Sequence, residues 1–597
     1  MKNIFKLLAF LPLLTACDDL FEPALENNRD LEAMYKEPSY AQGILANAYI
    51  ILPYETSPTS DLATDDAVTN EISNSYLRMA TGSWTANNNP VSQWQNRFNA
   101  IQYINLFLEN VDKVEWAKDE RISTMFLDRL KGEAYGLRAL HMYYLLRAHG
   151  GKIADGTLMG VPIILKSEGP DADFNHARAT YSDCVKQIME DADKAIELLP
   201  LDYKKFEDSE IPEKYKNIGV TNASDYRRVC GEEFRGLMSG RIALAVRAQT
   251  ALLAASPAFQ SGSGMTWEQA ADYAAEIVEK ANGGGGCGLD ANGLEWYTLA
   301  DNDYGTGGSP AEVIWRSSTD ENNTLEAANF PPSLYGNGRV NPTQNLVDAF
   351  PMANGYPISE TSSEYDAGNP YNKRDPRLAK YIVYNGGKQG PNDSEIITGT
   401  YGTNTDVVNK ESGRSTRTGY YLRKLLRKEC NPNPQYNTTK KHYTARIRYT
   451  EMFLIYAEAA NEAWGPQNSN GHLYSAYDVI KAIRTRAGLG TDNGDAYLES
   501  IKNNNDKDKM RELIRNERRI ELCFENFRFW DLRRWNVNLT KLNETALGVE
   551  ISKSGATMKY TLLEVENRKY EDYMIYGPLP FAEVMKWSNL EQNVGWK

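Results

Sequence analysis

Several glycine and aspartate patterns in this chain begin like known ligand-binding loops, and their spacing decides whether they could do that chemistry. Gly283, Gly285 and Gly288 match a dinucleotide-binding turn, which needs a strand before it and a helix after it. The preceding stretch, AADYAAEIVEKAN, is helical instead, so we interpret the glycines as a helix end and a loop. Asp301 and Asp303 begin like a calcium loop, but glycine occupies the next ligand position, which fails the EF-hand pattern.

The histidines and cysteines show no recognised metal-binding or nucleophile motif. The five histidines form no H-E-x-x-H, the cysteines form no C-x-x-C, and no G-x-S-x-G is present. We therefore expect no catalytic residue, no metal ion and no cofactor. Carboxylates are numerous, so the carboxylate pair of a glycoside hydrolase stays open as an alternative, although no particular carboxylate is singled out. Cys523 lies among apolar residues and is expected to be a small buried hydrophobe.

The first residues, MKNIFKLLAFLPLLTACDD, have the layout of an export signal. Two lysines flank an apolar run over residues 4–14, which is shorter than the roughly 20 residues that span a bilayer. The following LTAC resembles a bacterial lipobox, in which the cysteine receives a lipid. We therefore expect residues 1–16 to be a signal peptide and residues 17–36 to be a tether anchored by lipid on Cys17.

The distribution of charged residues restricts where the protein is expected to be located and which partners it is expected to bind. Asp18 and Asp19 directly follow the cysteine and resemble the acidic export tag of surface lipoproteins, so we expect an outer-membrane protein that faces the outside of the cell. The whole chain of 597 residues has a net charge of −14. It contains no basic stripe interleaved with aromatic residues, so we do not expect nucleic acid as a partner.

Helical periodicity predicts the elements that must position any site. The predicted helices cover residues 38–51, 93–111, 125–148, 181–199, 241–255, 267–281, 448–464, 476–487 and 509–535. Small residues where these helices would cross indicate pairwise packing of the tetratricopeptide kind. The expected fold class is therefore mainly α, with helix pairs that form a scaffold.

The middle of the chain, residues 283–440, has a different composition. Glycine, proline, asparagine, serine and threonine are frequent there, and only short strands are predicted, near 312–316 and 381–384. Binding residues concentrate on such loops. We expect a single domain over residues 37–597, with a helical scaffold about 37–282 and 441–540 and a loop-rich ligand-binding region about 283–440.

The most distinctive text is IRNERRIELCFENFRFWDLRRW, residues 514–535. Opposite charges recur three residues apart in and around it, and aromatic residues lie between them. We interpret it as a buried or half-buried scaffold element whose arginines stack on aromatic rings and fork onto carboxylates. This stretch closely resembles the C-terminal signature of the SusD/RagB family of nutrient-binding outer-membrane lipoproteins.

Other stretches resemble the same family in the same order along the chain. They are LKGEAYGLRALHMYYLLRAHGGKI, NPTQNLVDAFPMANGYPI, NKRDPRLAKYI, RYTEMFLIYAEAANEAWGP and YGPLPFAEVMKWSNLEQNVGW. The resemblance implies a tetratricopeptide-like scaffold with a loop-rich face that binds an oligosaccharide or polysaccharide. It also implies a partner, a SusC-like TonB-dependent outer-membrane barrel over which the protein acts as a lid. Catalysis is not implied.

The ligand residues of this family lie on variable loops, so their choice here is physical. Aromatic rings stack on the apolar faces of sugars, and planar amides pair with adjacent hydroxyls. The candidates are Trp84, Asn87, Asn88, Trp296, Tyr304 and Tyr335. Trp94 and Trp315 lie in predicted helix and strand and are expected to be packing residues instead.

Three alternatives remain open at this point. The same architecture could bind peptides in place of glycans. A surface-tethered glycoside hydrolase would turn its ligand over, and a helical-repeat scaffold would only join other proteins.

Overall fold

Helices dominate the parts of the chain that the computed structural model describes, residues 33–298, 309–491, 494–537 and 539–597. The helices are α1 (Ala33–Lys36), α2 (Pro38–Ile50), α3 (Ser75–Arg78), α4 (Trp94–Asn110), α5 (Glu120–His149), α6 (Tyr181–Leu198), α7 (Glu213–Lys216), α8 (Ala223–Cys230), α9 (Gly240–Ala255), α10 (Gln260–Ser263), α11 (Trp267–Val278), α12 (Thr324–Asn329), α13 (Gln344–Ala349), α14 (Pro376–Tyr381), α15 (Tyr449–Trp464), α16 (Ala476–Arg486), α17 (Ala496–Asn503), α18 (Lys507–Glu521), α19 (Arg528–Arg534), α20 (Thr540–Asn543) and α21 (Phe581–Lys586). The predicted mainly α fold is confirmed.

Strands in the described residues form antiparallel pairs and, apart from the C-terminal hairpin of β13 and β14, contain two to four residues each. They are β1 (Ala67–Thr69), β2 (Gly151–Lys152), β3 (Leu158–Met159), β4 (Val313–Arg316), β5 (Asp320–Asn322), β6 (Val340–Pro342), β7 (Ile382–Val383), β8 (Gly387–Gln389), β9 (Ser394–Ile396), β10 (Tyr421–Leu422), β11 (Lys440–His442), β12 (Ala445–Arg448), β13 (Ala546–Ser554) and β14 (Thr557–Glu566). The pairs are β1–β6, β2–β3, β4–β12, β5–β11, β7–β10, β8–β9 and β13–β14. The sequence predicts β4 and β7, but it does not predict the β13–β14 hairpin, whose strands have nine and ten residues.

The long helices pack against one another in a continuous series. α2 contacts α4, α4 contacts α5, α5 contacts α6, and the series continues through α9 and α11 to α15 and α18. Two glycines of α5 allow close approach to its neighbours. A Cβ at Gly132 would lie 2.6 Å from Leu199 Cγ, and one at Gly136 would lie 2.6 Å from Met238 Cγ. Side chains at these positions would push the scaffold apart.

One helix prediction was wrong in a way that matters for function. Residues 509–535 were predicted as one helix, but α18 ends at Glu521 and α19 begins at Arg528. Phe524 and Asn526 between them have φ angles of +64° and +65°, in the left-handed region that ends a helix. The break turns residues 522–527 out of the helical line. The other eight predicted helices are confirmed, with ends shifted by a few residues.

The arginines of residues 514–535 do pair with carboxylates and stack on rings, as interpreted. Arg534 forks onto Glu458 at 2.6 and 2.7 Å, and the Arg515 guanidinium lies 4.8 Å from the centroid of Trp535. Arg518, however, contacts Asp531 on the far side of the break, at 2.7 Å. These two residues are 13 positions apart in the sequence, whereas the predicted pairs are three positions apart. These contacts tie α19 to α15 and α18.

A buried cation on α14 joins the loop-rich region to α18. Arg377 contacts Asp375 at 2.6 Å, Glu517 at 2.8 Å and Glu521 at 3.0 Å, and all four side chains are at most 1% exposed. Such a set is stable only while every charge in it is paired. The loops of residues 283–440 are therefore fixed to the helical scaffold by charge as well as by apolar contacts.

Candidate functional site

The structure buries Trp84, the first candidate for ligand stacking. The side chain is 2% exposed, and its ring contacts the rings of Phe529, Tyr570 and Trp596 at centroid distances of 5.7, 6.1 and 4.9 Å. Its indole nitrogen donates to Asn89 Oδ1 at 3.0 Å. A ring that is enclosed on several sides by other rings has no free face for a sugar. This corrects the expectation of an exposed platform, and Trp84 is a packing residue.

Three of the other predicted residues, Asn87, Asn88 and Tyr335, are exposed. Asn87 and Asn88 are exposed, and the Asn88 amide donates to the Ser83 carbonyl at 2.8 Å. Tyr335 is 56% exposed at a left-handed position with φ of +64°, and stays a prediction. Tyr304 lies outside the described residues. Among the predicted residues that the structure describes, Trp296 lines a cavity.

Trp296 belongs to an aromatic wall in a central cleft, which we define as the cavity lined by Tyr54, Glu55, Tyr76, Trp296, Tyr297, Tyr443, Arg446, Glu451 and residues 524–527, with a volume of about 150 Å³. The rings of Trp296 and Tyr297 are 5.5 Å apart, and those of Trp296 and Tyr443 are 5.8 Å apart. The Tyr443 hydroxyl donates to the Trp296 carbonyl at 2.6 Å. This bond fixes the β11–β12 segment against residues 293–298.

Polar groups line the cleft beside these rings. Tyr76 donates to the Glu55 carboxylate at 3.3 Å, and the Asn526 amide donates to the Ser57 carbonyl at 2.9 Å. Asn526 reaches this position because of the break between α18 and α19. The segment around residues 53–60 is thus connected to a C-terminal turn more than 400 residues away in sequence. No local pattern in the sequence reports such a pairing.

Glu525, in the same turn, is held as a carboxylate. It contacts Lys424 at 2.6 Å and Arg448 at 2.8 Å. Burial alone would raise its pKa, but the two cations and their hydrogen bonds lower the pKa of Glu525 below its ordinary value. Glu525 is therefore a fixed negative charge in the wall of the cleft.

Glu451 on α15 is a buried lining residue with unpaired polar atoms. Gln249 donates from Nε2 to Glu451 Oε1 at 2.7 Å, whereas Glu451 Oε2 and Gln249 Oε1 are buried without a hydrogen-bond partner. Burial raises the pKa of Glu451 from 4.5 to about 7, opposed by the charge of Arg518 and the Gln249 hydrogen bond. Buried polar atoms without partners mark a place where a hydroxyl or a water can bind.

The raised pKa gives a testable pH dependence. Between pH 4.5 and about 7 the folded protein keeps a proton on Glu451 that the unfolded chain releases, so stability falls as pH rises through this window. The glutamine side chain of a Glu451→Gln variant cannot ionise, so the variant does not lose this stability. As pH rises from 5 to 8, the free energy of unfolding of the variant is expected to increase relative to that of the wild type by on the order of 3 kcal/mol. Thermal unfolding at the two pH values measures this gain.

Glu564→Gln, at an exposed carboxylate on β14, is the matched control and should follow the wild type at both pH values. A stability difference between Glu451→Gln and wild type that does not change with pH would show that Glu451 titrates at its ordinary value.

The lining of the central cleft offers two kinds of contact to a bound molecule. Aromatic rings supply apolar faces, and carboxylate, amide and guanidinium groups supply planar hydrogen-bonding partners. Sugars present both kinds of surface. The cleft also carries charges of both signs, Glu55 and Arg446 among them, which would suit a charged glycan.

A second cluster consists of side chains that can bind a metal ion, whereas the sequence motifs predict no metal site. Ligand atoms of Glu326, Cys430 and His442 lie within 4.8 Å of one another. Their wide spacing in the sequence hid the cluster, because known metal motifs depend on short spacings. The strand pairing of β5 with β11 brings His442 towards Glu326, and only the folded chain reveals it.

Two family models match this chain. The model described as "SusD family" matches residues 311–596, and the model described as "Starch-binding associating with outer membrane" matches residues 25–214. Together they cover most of the chain.

This chain belongs to the SusD family.

Relatives and solved structures agree with the SusD assignment along nearly the whole length. SusD-like protein P38 of Formosa agariphila is 24% identical over 566 residues, which is 90% of this chain and 92% of that protein. The solved structure of a SusD-like protein from Bacteroides fragilis is 22% identical in sequence and has a TM-score of 0.70. The match covers 96% of this chain and 100% of that protein's chain. The solved structure of a SusD-like carbohydrate-binding protein from the same species is 21% identical in sequence and has a TM-score of 0.67. That match covers 94% of this chain and 100% of that protein's chain.

The SusD/RagB resemblance from the sequence is thus confirmed, and so is the SusD-like helical fold. Among the described residues of this SusD-family chain, none of the helices combines the length and the apolar character needed to cross a membrane. Cys17, the expected lipidation site, lies outside the described residues.

Proposed function

We propose that this SusD-family protein captures oligosaccharides or polysaccharides in the central cleft. The observation that carries the proposal is the aromatic wall of Trp296, Tyr297 and Tyr443 beside unpaired buried polar groups. Trp296 and Tyr297 are only 4% and 9% exposed, so the half-buried ring of Tyr443 would supply the face on which a sugar stacks, and the polar groups would bind hydroxyls. Names of similar proteins support this: one is a carbohydrate-binding protein, and another, with a TM-score of 0.53, is a laminarin-binding protein.

The proposal places the protein on the outer membrane, anchored by lipid on Cys17. Its support is the lipobox-like sequence before Cys17, the acidic Asp18 and Asp19, and the family model named for association with the outer membrane. We propose further that it acts as the lid of a SusC-like TonB-dependent barrel and delivers the glycan for import. Labelling of the protein with radioactive palmitate, and loss of the label in Cys17→Ser, would test the anchor.

Isothermal titration of the full-length chain in detergent against a broad glycan panel tests the binding proposal. We expect heat of binding with at least one glycan and none with a matched peptide panel. Binding of peptides alone would replace the glycan version with the peptide-binding alternative. If neither panel produced binding, the nutrient-capture proposal would fail and a protein-joining scaffold would be favoured.

We propose binding without chemical conversion of the ligand. A glycoside hydrolase requires two carboxyl groups that flank the scissile bond, one of them protonated. In the cleft, the ionised Glu525 is already paired with Lys424 and Arg448 and is not free to act on a bound sugar, so a reducing-sugar assay on each glycan that binds is expected to stay at background. Release of reducing ends, abolished by replacing a single carboxylate of the cleft, would establish the hydrolase alternative instead.

A further inference from the structure

Three side chains with metal-ligating atoms converge beside the wall of the central cleft. Glu326 lies on α12, Cys430 lies at the turn after Arg427, and His442 ends β11. Glu326 and Cys430 are 0% exposed, and the His442 side chain is 10% exposed. Their ligand atoms all lie within 4.8 Å of one another. The cluster is therefore shielded from solvent and small enough to surround one ion.

The hydrogen bonds of the cluster leave a carboxylate oxygen without a partner. His442 donates from Nδ1 to the Lys440 carbonyl at 2.8 Å, which directs Nε2 at Glu326 Oε1, 2.9 Å away. Glu326 Oε1 already accepts the backbone N–H of Arg427 at 2.7 Å. Glu326 Oε2 is buried and accepts no hydrogen bond. If the imidazole carried its proton only on Nδ1, the Nε2 lone pair would face Glu326 Oε1, so either a proton on Nε2 or a metal ion lies between these two atoms.

We propose that Glu326, Cys430 and His442 bind a zinc ion. Thiolate, imidazole and carboxylate are the ligands that zinc uses in proteins. Zinc-bound histidines usually donate their other ring N–H to a backbone carbonyl, and His442 makes this bond with Lys440. A carboxylate and a thiolate neutralise the two positive charges of zinc. The proton of the Cys430 thiol leaves for solvent when the zinc–sulfur bond forms.

The distances suit a tetrahedral site with one remaining position for water. Zinc–ligand bonds of about 2.0–2.3 Å place tetrahedral ligand atoms about 3.3–3.6 Å apart. The atoms here lie within 4.8 Å, so closure around zinc needs relative shifts of at most about 1.5 Å. The neighbouring Arg427 guanidinium is bound by the Lys441 carbonyl at 3.1 Å and lies 3.5 Å from the Glu429 carboxylate.

A zinc ion at this site would cross-link three separate segments of the chain behind the cleft. α12, the turn before Cys430 and β11 are otherwise joined by the short β5–β11 pair and a few loop hydrogen bonds. His442 itself lines the cleft, one residue before Tyr443 of the aromatic wall. Zinc at this point would fix the position of that wall, independently of which ligand the cleft binds.

The first test uses the full-length wild-type chain after removal of metals with a chelator and dialysis. After addition of zinc chloride and removal of the excess, elemental analysis is expected to give one zinc per chain. Cobalt added in place of zinc should produce a thiolate-to-cobalt charge-transfer band. Absence of retained zinc or of this band overturns the proposal, and neither measurement depends on a variant that might not fold.

Variants assign the site. Cys430→Ser and His442→Gln are expected to lose the retained zinc, and Cys430→Ser to lose the cobalt band. Cys287→Ser is the matched control, because Cys287 is the most exposed cysteine among the described residues and should keep both signals unchanged. Zinc should also raise the melting temperature of wild type and Cys287→Ser but not of Cys430→Ser. Equal zinc retention in Cys430→Ser and wild type would contradict the assignment.

Discussion

An Arg377→Ala variant is expected to lose about 3–5 kcal/mol of stability, which would lower the melting temperature by several degrees or prevent soluble expression. The guanidinium is fully buried and contacts Asp375, Glu517 and Glu521. Two of these carboxylates have a second cationic partner: Glu517 pairs with Arg484, and Glu521 pairs with Arg486. Removing Arg377 nevertheless leaves excess negative charge where water cannot reach, and this is the costly outcome for a buried ionic set.

The control for this prediction is Arg414→Ala, in the same loop-rich region. Arg414 pairs with Glu411 at 3.7 Å, with both side chains nearly half exposed, and such surface pairs contribute at most about 1 kcal/mol. Differential scanning calorimetry of wild type and the two variants makes the comparison. If Arg377→Ala melted together with Arg414→Ala, the buried network would not hold the loops on the scaffold.

The second large effect concerns the aromatic wall. A Tyr443→Ala variant is expected to weaken glycan binding at least about tenfold, since truncation of a central aromatic contact typically costs 2 kcal/mol or more. The change removes a ring that faces the cleft and also the hydroxyl that bonds the Trp296 carbonyl. Titration calorimetry with the tightest glycan of the panel measures the loss.

Tyr436→Ala provides the comparison for Tyr443→Ala. Tyr436 is 68% exposed, lies on a nearby loop and does not line the cleft. We expect its affinity for the glycan to equal that of wild type, and both variants to keep the wild-type circular dichroism spectrum. If the affinity of Tyr443→Ala for the glycan were unchanged, the central cleft would not be the binding site. Exposed residues such as Tyr335 would then be the candidates for glycan binding.

Much of the scaffold could be predicted because helix signals are local. The apolar period of α5 was visible between Met125 and Ala148, and Gly150 and Gly151 marked its end. The break at Phe524 and Asn526 was missed, because the continuous charge and aromatic pattern of residues 514–535 is compatible with a helix throughout. Left-handed backbone at a bulky residue such as Phe524 reflects tertiary contacts that no window of sequence contains.

The site was only partly predictable for the same reason. Trp84 and Trp296 both lie in polar, loop-like sequence, yet Trp84 is covered by Trp596 from the end of the chain, while Trp296 meets Tyr443 at the cleft. Which aromatic residue faces a cavity depends on such distant partners. The metal-ligating cluster of Glu326, Cys430 and His442 could not be predicted for the same reason, because its members are distant from one another in the sequence.

We propose that the cleft beside Trp296 and Tyr443 holds a glycan. The most direct measurement is a crystal structure of this protein with the tightest glycan of the panel. We expect a sugar ring against this aromatic wall, with its hydroxyls near Glu451 and Asn526. A glycan bound elsewhere, with the cleft filled only by water, would contradict it.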